Sequence, residues 1–270
     1  MTTQVGFIGG GQMGEALIRG IIQSGLYTAD TILVAEPDSA RRAYLTETYQ
    51  IQAFDSGAPI WKSCTTVILA VKPQVMGSLL TAAQELISAE HLIISIAAGL
   101  PISFFEGHLP GRQCKIIRVM PNTPALVLEG ASALSGNTHV TPGEMSLAKS
   151  LFDAVGVAVI LEEKYLDAVT GLSGSGPAYV FTFIEGMIDA GIKTGLARGV
   201  AETLAIQTVL GSVKLMQESN KHPAVLRAMV TSPGGTTIEA QHVLERAGFK
   251  GIIMDAIEAA TNRSIELGRK

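Results

Sequence analysis

The sequence predicts an α/β protein with an N-terminal doubly wound Rossmann-type sheet and a C-terminal all-helical domain. Three observations predict it. Short aliphatic runs alternate with helical stretches over roughly the first 160 residues. A glycine-rich turn, Gly9-Gly10-Gly11-Gln12-Met13-Gly14, follows the first of those runs. After Glu162-Glu163-Lys164 the β-rich runs stop, and long stretches rich in Gly and Ala replace them. Aliphatic runs without alternation belong to strands covered on both faces, hence to a parallel sheet, and the strand–helix rhythm is that of βαβ units.

In chain order, residues 4–9 read as an apolar strand and 14–25 as the helix after it. Residues 31–35 are a second strand, followed by a charged helix over 39–49. Buried strands follow at 66–71, 91–97 and 115–120, with closing strands at 131–135 and 155–161. Residues 177–194, 197–219 and 248–267 read as long helices whose small residues permit close packing. The boundary falls near residue 163, giving a dinucleotide-binding domain over 1–163 and a helical domain over 164–270. A helical domain this apolar, attached to a nucleotide fold, is expected to supply an oligomer interface.

Composition narrows the function classes. The 270 residues are 47% hydrophobic and only 5% aromatic, so the core is aliphatic. Charged residues make up 16%, the net charge is -4 and no basic stripe is visible, so nucleic acid is not an expected partner. The cysteines, Cys64 and Cys114, have no metal or redox spacing and fit a reducing compartment. The scattered histidines show no metal-ligand spacing, so no metal is expected. No signal peptide is evident, and no apolar run approaches the ~20 residues that span a bilayer. The expectation is a cytoplasmic protein without membrane partners.

The glycine turn matches G-x-G-x-x-G in the required context, after a strand (ending at Ile8) and at the start of a helix. Gly9 permits the tight turn, Gly11 lets a pyrophosphate approach the backbone, and Gly14 lets helix meet strand; Gly10, Gln12 and Met13 complete the loop. Glu36 ends the second strand, 22 residues past Gly14, where a carboxylate accepts hydrogen bonds from ribose hydroxyls and repels a 2′-phosphate. Arg41 and Arg42 lie just beyond; they either pair with that phosphate or form a solvated helix face, and the second alternative is favoured. The reading tilts toward NADH and leaves NADPH open. Ligands of open α/β sheets bind beyond the carboxyl ends of strands. Three such ends carry turn chemistry: Ala70-Val71-Lys72-Pro73, Ile96-Ala97-Ala98-Gly99 and Met120-Pro121-Asn122-Thr123-Pro124. Ala97 offers a small floor under a flat ring, Lys72 is expected to meet cofactor, and the Asn122 amide can bond a carboxamide or a substrate.

A second segment stands out in the helical part. Val230-Thr231-Ser232-Pro233-Gly234-Gly235-Thr236-Thr237 sits between two helical stretches and opens the second, with four hydroxyls and no charge. Main-chain N–H groups at a helix start with nearby hydroxyls suit a small anion such as a carboxylate. Local chemistry alone leaves an ordinary helix cap equally open.

The motifs together resemble the pyrroline-5-carboxylate reductases, nearly end to end. The resemblance rests on Gly6-Phe7-Ile8-Gly9-Gly10-Gly11-Gln12-Met13, Val71-Lys72-Pro73-Gln74, Arg118 through Ala125, Asp167 through Tyr179, and the segment at 230–237. It implies hydride transfer from NADPH or NADH to the C=N carbon of 1-pyrroline-5-carboxylate, giving L-proline. It further implies that helical domains interlock in a homodimer, and larger rings of dimers are common in the family. The family's substrate loop maps onto Ser232, Gly234, Gly235, Thr236 and Thr237, whose N–H groups and hydroxyls hold the carboxylate, with the Thr237 hydroxyl by the ring nitrogen. Glu163 matches a position near bound proline in relatives; its alternative is a solvated charge at the boundary. Departures touch the cofactor end and the loop's approach: Ser56-Gly57 lack an amide that relatives often carry there, Ala228-Met229 replace a small polar or acidic residue, and Glu36 stands where NADPH-using relatives often have serine.

A protonated cyclic imine is already an electrophile, so the reaction needs little acid–base work. It needs the carbon held within about 3–3.5 Å of the donor. An uncharged loop grips the carboxylate without placing a cation beside the iminium, which leaves Thr237 as the candidate catalytic residue. A β-hydroxyacid dehydrogenase would need a lysine and an asparagine where this chain has Val180 and Ile184, and alcohol oxidation needs a proton acceptor. A reductase of a related cyclic imine, or a regulatory protein on the same fold, are the remaining alternatives.

Overall fold

The computed structural model describes residues 4–268. Eight strands form one sheet: β1 (Val5–Ile8), β2 (Ile32–Ala35), β3 (Gln52–Phe54), β4 (Thr66–Leu69), β5 (Leu92–Ser95), β6 (Lys115–Met120), β7 (Gly130–Gly136) and β8 (Gly156–Ile160). Their spatial order is β3-β2-β1-β4-β5-β6-β7-β8. The first six run parallel, as the aliphatic runs require. The last two depart from the parallel expectation: β7 is antiparallel to β6, and β8 runs parallel to β7. The cause is the connection. Residues 121–129 hold only a short 3-10 turn (Thr123–Val127), less than the dozen or so residues a parallel crossover requires.

Six helices accompany the sheet: α1 (Gln12–Gln23), α2 (Ser39–Tyr49), α3 (Ala58–Ser63), α4 (Pro73–Ala83), α5 (Ile102–His108) and α6 (Pro142–Asp153). Pro occupies the first turn of α3, α4 and α6, where its missing N–H costs nothing. A reciprocal capping box between Thr141 and Glu144 fixes the start of α6. Neighbouring strand residues alternate between two cores. Val5, Phe7, Ile32, Val34, Ile68, Ile94, Ile117 and Val119 enter one with Leu17, Ile18 and Ile21 of α1. Ile8, Leu33, Val67, Leu69, Ile93 and Ile116 enter the other with Trp61, Met76 and Phe105. Strand order reverses direction between β1 and β4, which places the crevice of an open sheet beyond their carboxyl ends.

The chain divides into two compact units, one formed by residues up to Ser175 together with those from Ala259 onward, the other by Gly176–Glu258. In the first, β8 leads through α7 (Leu166–Val169) to a π-helical turn at Thr170–Gly174. In the second lie α8 (Gly176–Lys193), α9 (Arg198–Ser219), α10 (Pro223–Met229) and α11 (Thr236–Arg246); α12 (Phe249–Gly268) carries residues of both. The small residues at the α8–α9 contact act as expected: a Cβ on Gly191 would come 2.9 Å from that of Ala201. Yet Ala201 and Ala205 are the only buried apolar residues of this unit among those described. Phe181, Val200, Leu204, Leu210, Val243 and Met254 are all exposed. Among the described residues, no helix is long and apolar enough to cross a membrane.

Phe7 is fully buried at the centre of the first core. Phe7→Ala is expected to lower the unfolding free energy by about 3–5 kcal/mol, read from the urea midpoint at fixed protein concentration. A loss below about 1 kcal/mol would mean that the surrounding aliphatics collapse into the space.

Candidate active site

The glycine turn is shaped as its spacing requires. Gly9 has φ +105, and a Cβ there would stand 2.5 Å from the Ala70 carbonyl oxygen of the neighbouring strand end. A Cβ on Gly10 would meet Leu45 at 2.5 Å, and one on Gly14 would meet the Gly9 carbonyl oxygen at 2.6 Å. Gly11 alone in the motif has open space, with nothing within 4 Å of where a Cβ would stand. It caps α1 with extended backbone and no side-chain hydrogen bond, so the first N–H groups of α1 are left for an anion. Gln12 is exposed beside it, while Met13 packs against the first core. Ile8 contributes backbone only, since its side chain lies in the second core.

Glu36 sits at the carboxyl end of β2, as expected. One carboxylate oxygen accepts from the Gly10 N–H at 2.9 Å and the other from the Asp38 N–H at 3.1 Å. The two arginines beyond it are not the solvated face that was favoured, for both bond within the fold. Arg41 donates from Nε to the Gly10 carbonyl at 2.6 Å and pairs with Glu15. Arg42 donates to the Glu36 and Pro37 carbonyls, each at 2.7 Å. Gly10 is thus held at both ends of its backbone, and the charges near the turn are spent on shaping it.

Beyond β4, Ala70 donates its N–H to the Ile8 carbonyl at 2.8 Å, tying this strand end to the start of the glycine turn. Val71 packs against the second core, Lys72 is exposed as the N-cap of α4, and Pro73 opens that helix. A cleft of about 650 Å³ lies beside them in the same unit, lined among others by Pro73, Gln74, Ala98, Gly99, Thr170 and Ser264. Ala97 itself is buried in the second core; the small floor is provided by Ala98 and by Gly99, whose φ is +77. Thr170, Ser175, Arg263 and Ser264 line this cleft; none was named as a site residue from sequence, although Thr170 and Ser175 fall within the motif at 167–179. The π turn at Thr170–Gly174 adds a structural signal at Thr170, because such turns gather at functional positions.

Two expected site residues also carry internal hydrogen bonds that join elements of the fold. The Asn122 amide donates to the Ser173 carbonyl at 3.0 Å and accepts from the Ala131 N–H at 2.8 Å, joining the end of β6 to the π turn. One N–H donor and one acceptor lone pair of the amide remain beyond these two bonds. Glu163 is no solvated boundary charge either. It accepts from the Ile102 N–H at 2.7 Å and from Arg118 at 3.2 Å. Arg118 is buried, with Asp167 at 3.9 Å as a second carboxylate, and Asp167 accepts from the Ser264 hydroxyl at 2.6 Å. A buried guanidinium needs such partners to be tolerated.

In the helical unit, the segment at 230–237 forms one tight turn. The Ser232 carbonyl accepts from the Gly235 N–H at 3.1 Å, Gly234 has φ +65, and Gly235 caps α11 without a side-chain hydrogen bond. Ser232, Gly234, Gly235, Thr236 and Thr237 are therefore gathered about a helix start whose first N–H groups no side chain caps. Thr231 anchors the turn by donating to the Arg227 carbonyl at 2.7 Å, and Gln241 donates back to Thr231 at 3.2 Å.

Residues 4–99 match a family model described as "NADP oxidoreductase coenzyme F420-dependent", and residues 163–267 match one described as "Pyrroline-5-carboxylate reductase dimerisation". The pyrroline-5-carboxylate reductase of a Synechocystis species is 44% identical over the whole of both chains. That of Methanosarcina acetivorans is 43% identical over 99% of this chain and 98% of its own. Among solved structures, the pyrroline-5-carboxylate reductase of Coxiella burnetii superposes with a TM-score of 0.95 at 34% identity over both full chains. A pyrroline carboxylate reductase from Plasmodium falciparum, solved with NADP bound, gives 0.87 at 34% identity over 99% of this chain and 98% of that one. With identity at this level over full lengths, and with both the glycine turn and the neutral helix start in place, the chain belongs to the pyrroline-5-carboxylate reductase family.

Proposed function

We propose that this chain reduces 1-pyrroline-5-carboxylate to L-proline with NADPH or NADH as hydride donor, the last step of proline biosynthesis. One observation carries the reading: among the described helix starts that no side chain caps, one lies behind an open glycine and another within an uncharged hydroxyl-rich turn. The first suits a pyrophosphate and the second a carboxylate. The dinucleotide fits the residues present, because the space beside Gly11 is what a pyrophosphate needs and Glu36 stands where ribose hydroxyls are read.

When bound, the reduced nicotinamide supplies the hydride. The chain's own residues hold and aim. The N–H groups of Gly11 and the first turn of α1 hold the pyrophosphate, Glu36 accepts from the adenosine ribose, and Pro73, Ala98 and Gly99 form small walls that exclude water. Ser232, Gly234, Gly235 and Thr236 hold the substrate carboxylate through N–H groups and hydroxyls, without a competing cation. The Thr237 hydroxyl orients the proton on the ring nitrogen, or donates one to the product amine. Lys72, exposed at the N-cap of α4, meets cofactor rather than acting as a base. Glu163 serves this site through Arg118 and Asp167, from which the hydrogen bond to Ser264 reaches the cleft wall.

The division of labour runs near residue 163: residues 1–163 hold the dinucleotide, and 164–270 bind substrate and dimerise, in keeping with the dimerisation family matched over 163–267. The exposed apolar helix faces support a homodimer, with larger rings built from such dimers. The two buried free thiols suit a reducing cytoplasm.

Oxidation of NADH and of NADPH, followed spectrophotometrically with 1-pyrroline-5-carboxylate, tests the assignment. No turnover with either cofactor overturns it, and faster turnover of the six-membered ring homologue shifts it to a related cyclic imine. Gly11→Ala is expected to weaken dinucleotide binding about 10-fold or more with the thermal midpoint unchanged, because only a bound pyrophosphate meets the new methyl. Gly14→Ala, whose methyl would strike the Gly9 carbonyl, is expected to lower both. Thr237→Ala should cut kcat about 10-fold or more while leaving dinucleotide affinity intact; an unchanged kcat removes Thr237 from the mechanism.

A further inference from the structure

Glu15, in the first turn of α1, gathers more partners than a surface carboxylate needs. One oxygen accepts from the Tyr44 hydroxyl at 2.9 Å and the Tyr49 hydroxyl at 2.7 Å, and the other pairs with Arg41. The Arg41 guanidinium also lies 5.0 Å above the Tyr44 ring and donates to the Gly10 carbonyl. Burial pushes the Glu15 carboxyl up, but the hydrogen bonds from Tyr49, Arg41 and Tyr44 outweigh it and hold the group below the ordinary carboxylate range. The Tyr49 phenol, raised by burial and by its bond to Glu15, is pushed up to about 12. Three donors and one charge thus meet a carboxylate that stays ionised at neutral pH.

This cage holds the cation that a 2′-phosphate would require. Arg41 belongs to the first turn of α2, immediately after Glu36, in the position from which an arginine accommodates the 2′-phosphate of NADP. Arg42, the other cation of that turn, is spent on the Glu36 and Pro37 carbonyls. We propose that Glu15 is a specificity-determining residue: by sequestering Arg41 it keeps the adenosine subsite without a cation, so that the enzyme favours the dinucleotide lacking a 2′-phosphate. The proposal deepens, and rests on, the dinucleotide-dependent reductase reading. It differs from the repulsion that Glu36 itself exerts, because it assigns discrimination to a carboxylate on another helix that acts through an arginine. Moving Arg41 to a phosphate forfeits its bonds to Gly10 and Glu15 together, and a guanidinium stacked and paired on a planar partner set is a costly one to relocate.

Calorimetric titration with 5′-AMP and with adenosine 2′,5′-bisphosphate at one fixed ionic strength reads the adenosine subsite alone, without imine or turnover. The ratio therefore stays readable even where the imine assay fails. The wild-type chain is expected to bind 5′-AMP about 10-fold tighter or more. Glu15→Gln, which removes the charge and keeps the shape, should narrow that ratio about 10-fold by strengthening the bisphosphate. Glu15→Gln combined with Arg41→Ala should restore it, since the gain depends on the freed guanidinium. A ratio unchanged in Glu15→Gln overturns the proposal, as does a narrowing that survives without Arg41, or a wild-type chain that prefers the bisphosphate. Should Glu15→Gln fail to fold, Tyr49→Phe loosens the cage more gently: a shift in the same direction supports sequestration, and none overturns it.

Discussion

The close approach of Gly14 to the Gly9 carbonyl is the contact on which the nucleotide half of this protein depends. A single methyl at Gly14 would stand 2.6 Å from that oxygen. Because it is absent, α1 begins immediately beyond β1, at the point where strand order reverses between β1 and β4. The N–H groups of its first turn then face the carboxyl edge of the sheet, next to Ala70 and Val71 at the end of β4. The sheet is buried on both faces, so its strands cannot shift to relieve a clash there. Packing and ligand geometry are therefore one constraint, with Glu36 and Arg41 holding the Gly10 peptide from its two ends.

The arginines of the first unit follow a common pattern: apart from the exposed Lys72, the cations named at the candidate site bond within the fold. Arg41 is held by Glu15, Arg42 by backbone carbonyls, Arg118 by Glu163 and Asp167, and Arg263 by Glu266. On the proposed reading, recognition of anionic ligands falls to backbone dipoles at α1 and α11. For a substrate whose ring carries positive charge beside an anionic tail, that arrangement avoids a fixed cation that would oppose the iminium. The dipoles act over one helical turn, so they favour the tail without extending far along the ring.

Much of this was legible from residues alone, and what was legible had local causes. Aliphatic runs revealed β1, β2 and β4 to β6 because burial on both faces removes alternation, and the glycine spacing placed α1. The reversed direction of β7 was hidden because it follows from the length of a connection rather than from the composition of the strand. The scaffold bonds of Asn122 and Glu163 were hidden, because a polar side chain, whether at a strand end like Asn122 or placed by resemblance like Glu163, has no visible partner in one dimension. Their partners, Ser173, Ala131, Ile102 and Arg118, lie between 9 and 61 residues away along the chain. The Glu15 cage was invisible for the same reason: its tyrosines and arginine lie on α2, and helix propensity says nothing about which faces meet. Thr170 and Ser264 line one cleft although their sequence neighbourhoods share no motif.

The helical unit poses a different physical problem. Its long helices are joined through small contacts such as Gly191 against Ala201, and its larger aliphatic and aromatic side chains remain on the surface. Burying each such side chain is worth about 1.5–3 kcal/mol, and a unit of this size that leaves them in water lacks the core that would hold it together. A symmetric second copy of the same surface is the economical remedy, since an apolar face that is self-complementary closes on itself. The turn at 232–237 stands on this unit, at the start of α11. Its geometry is consequently only as firm as the packing beneath it, which a second copy of the same surface would complete.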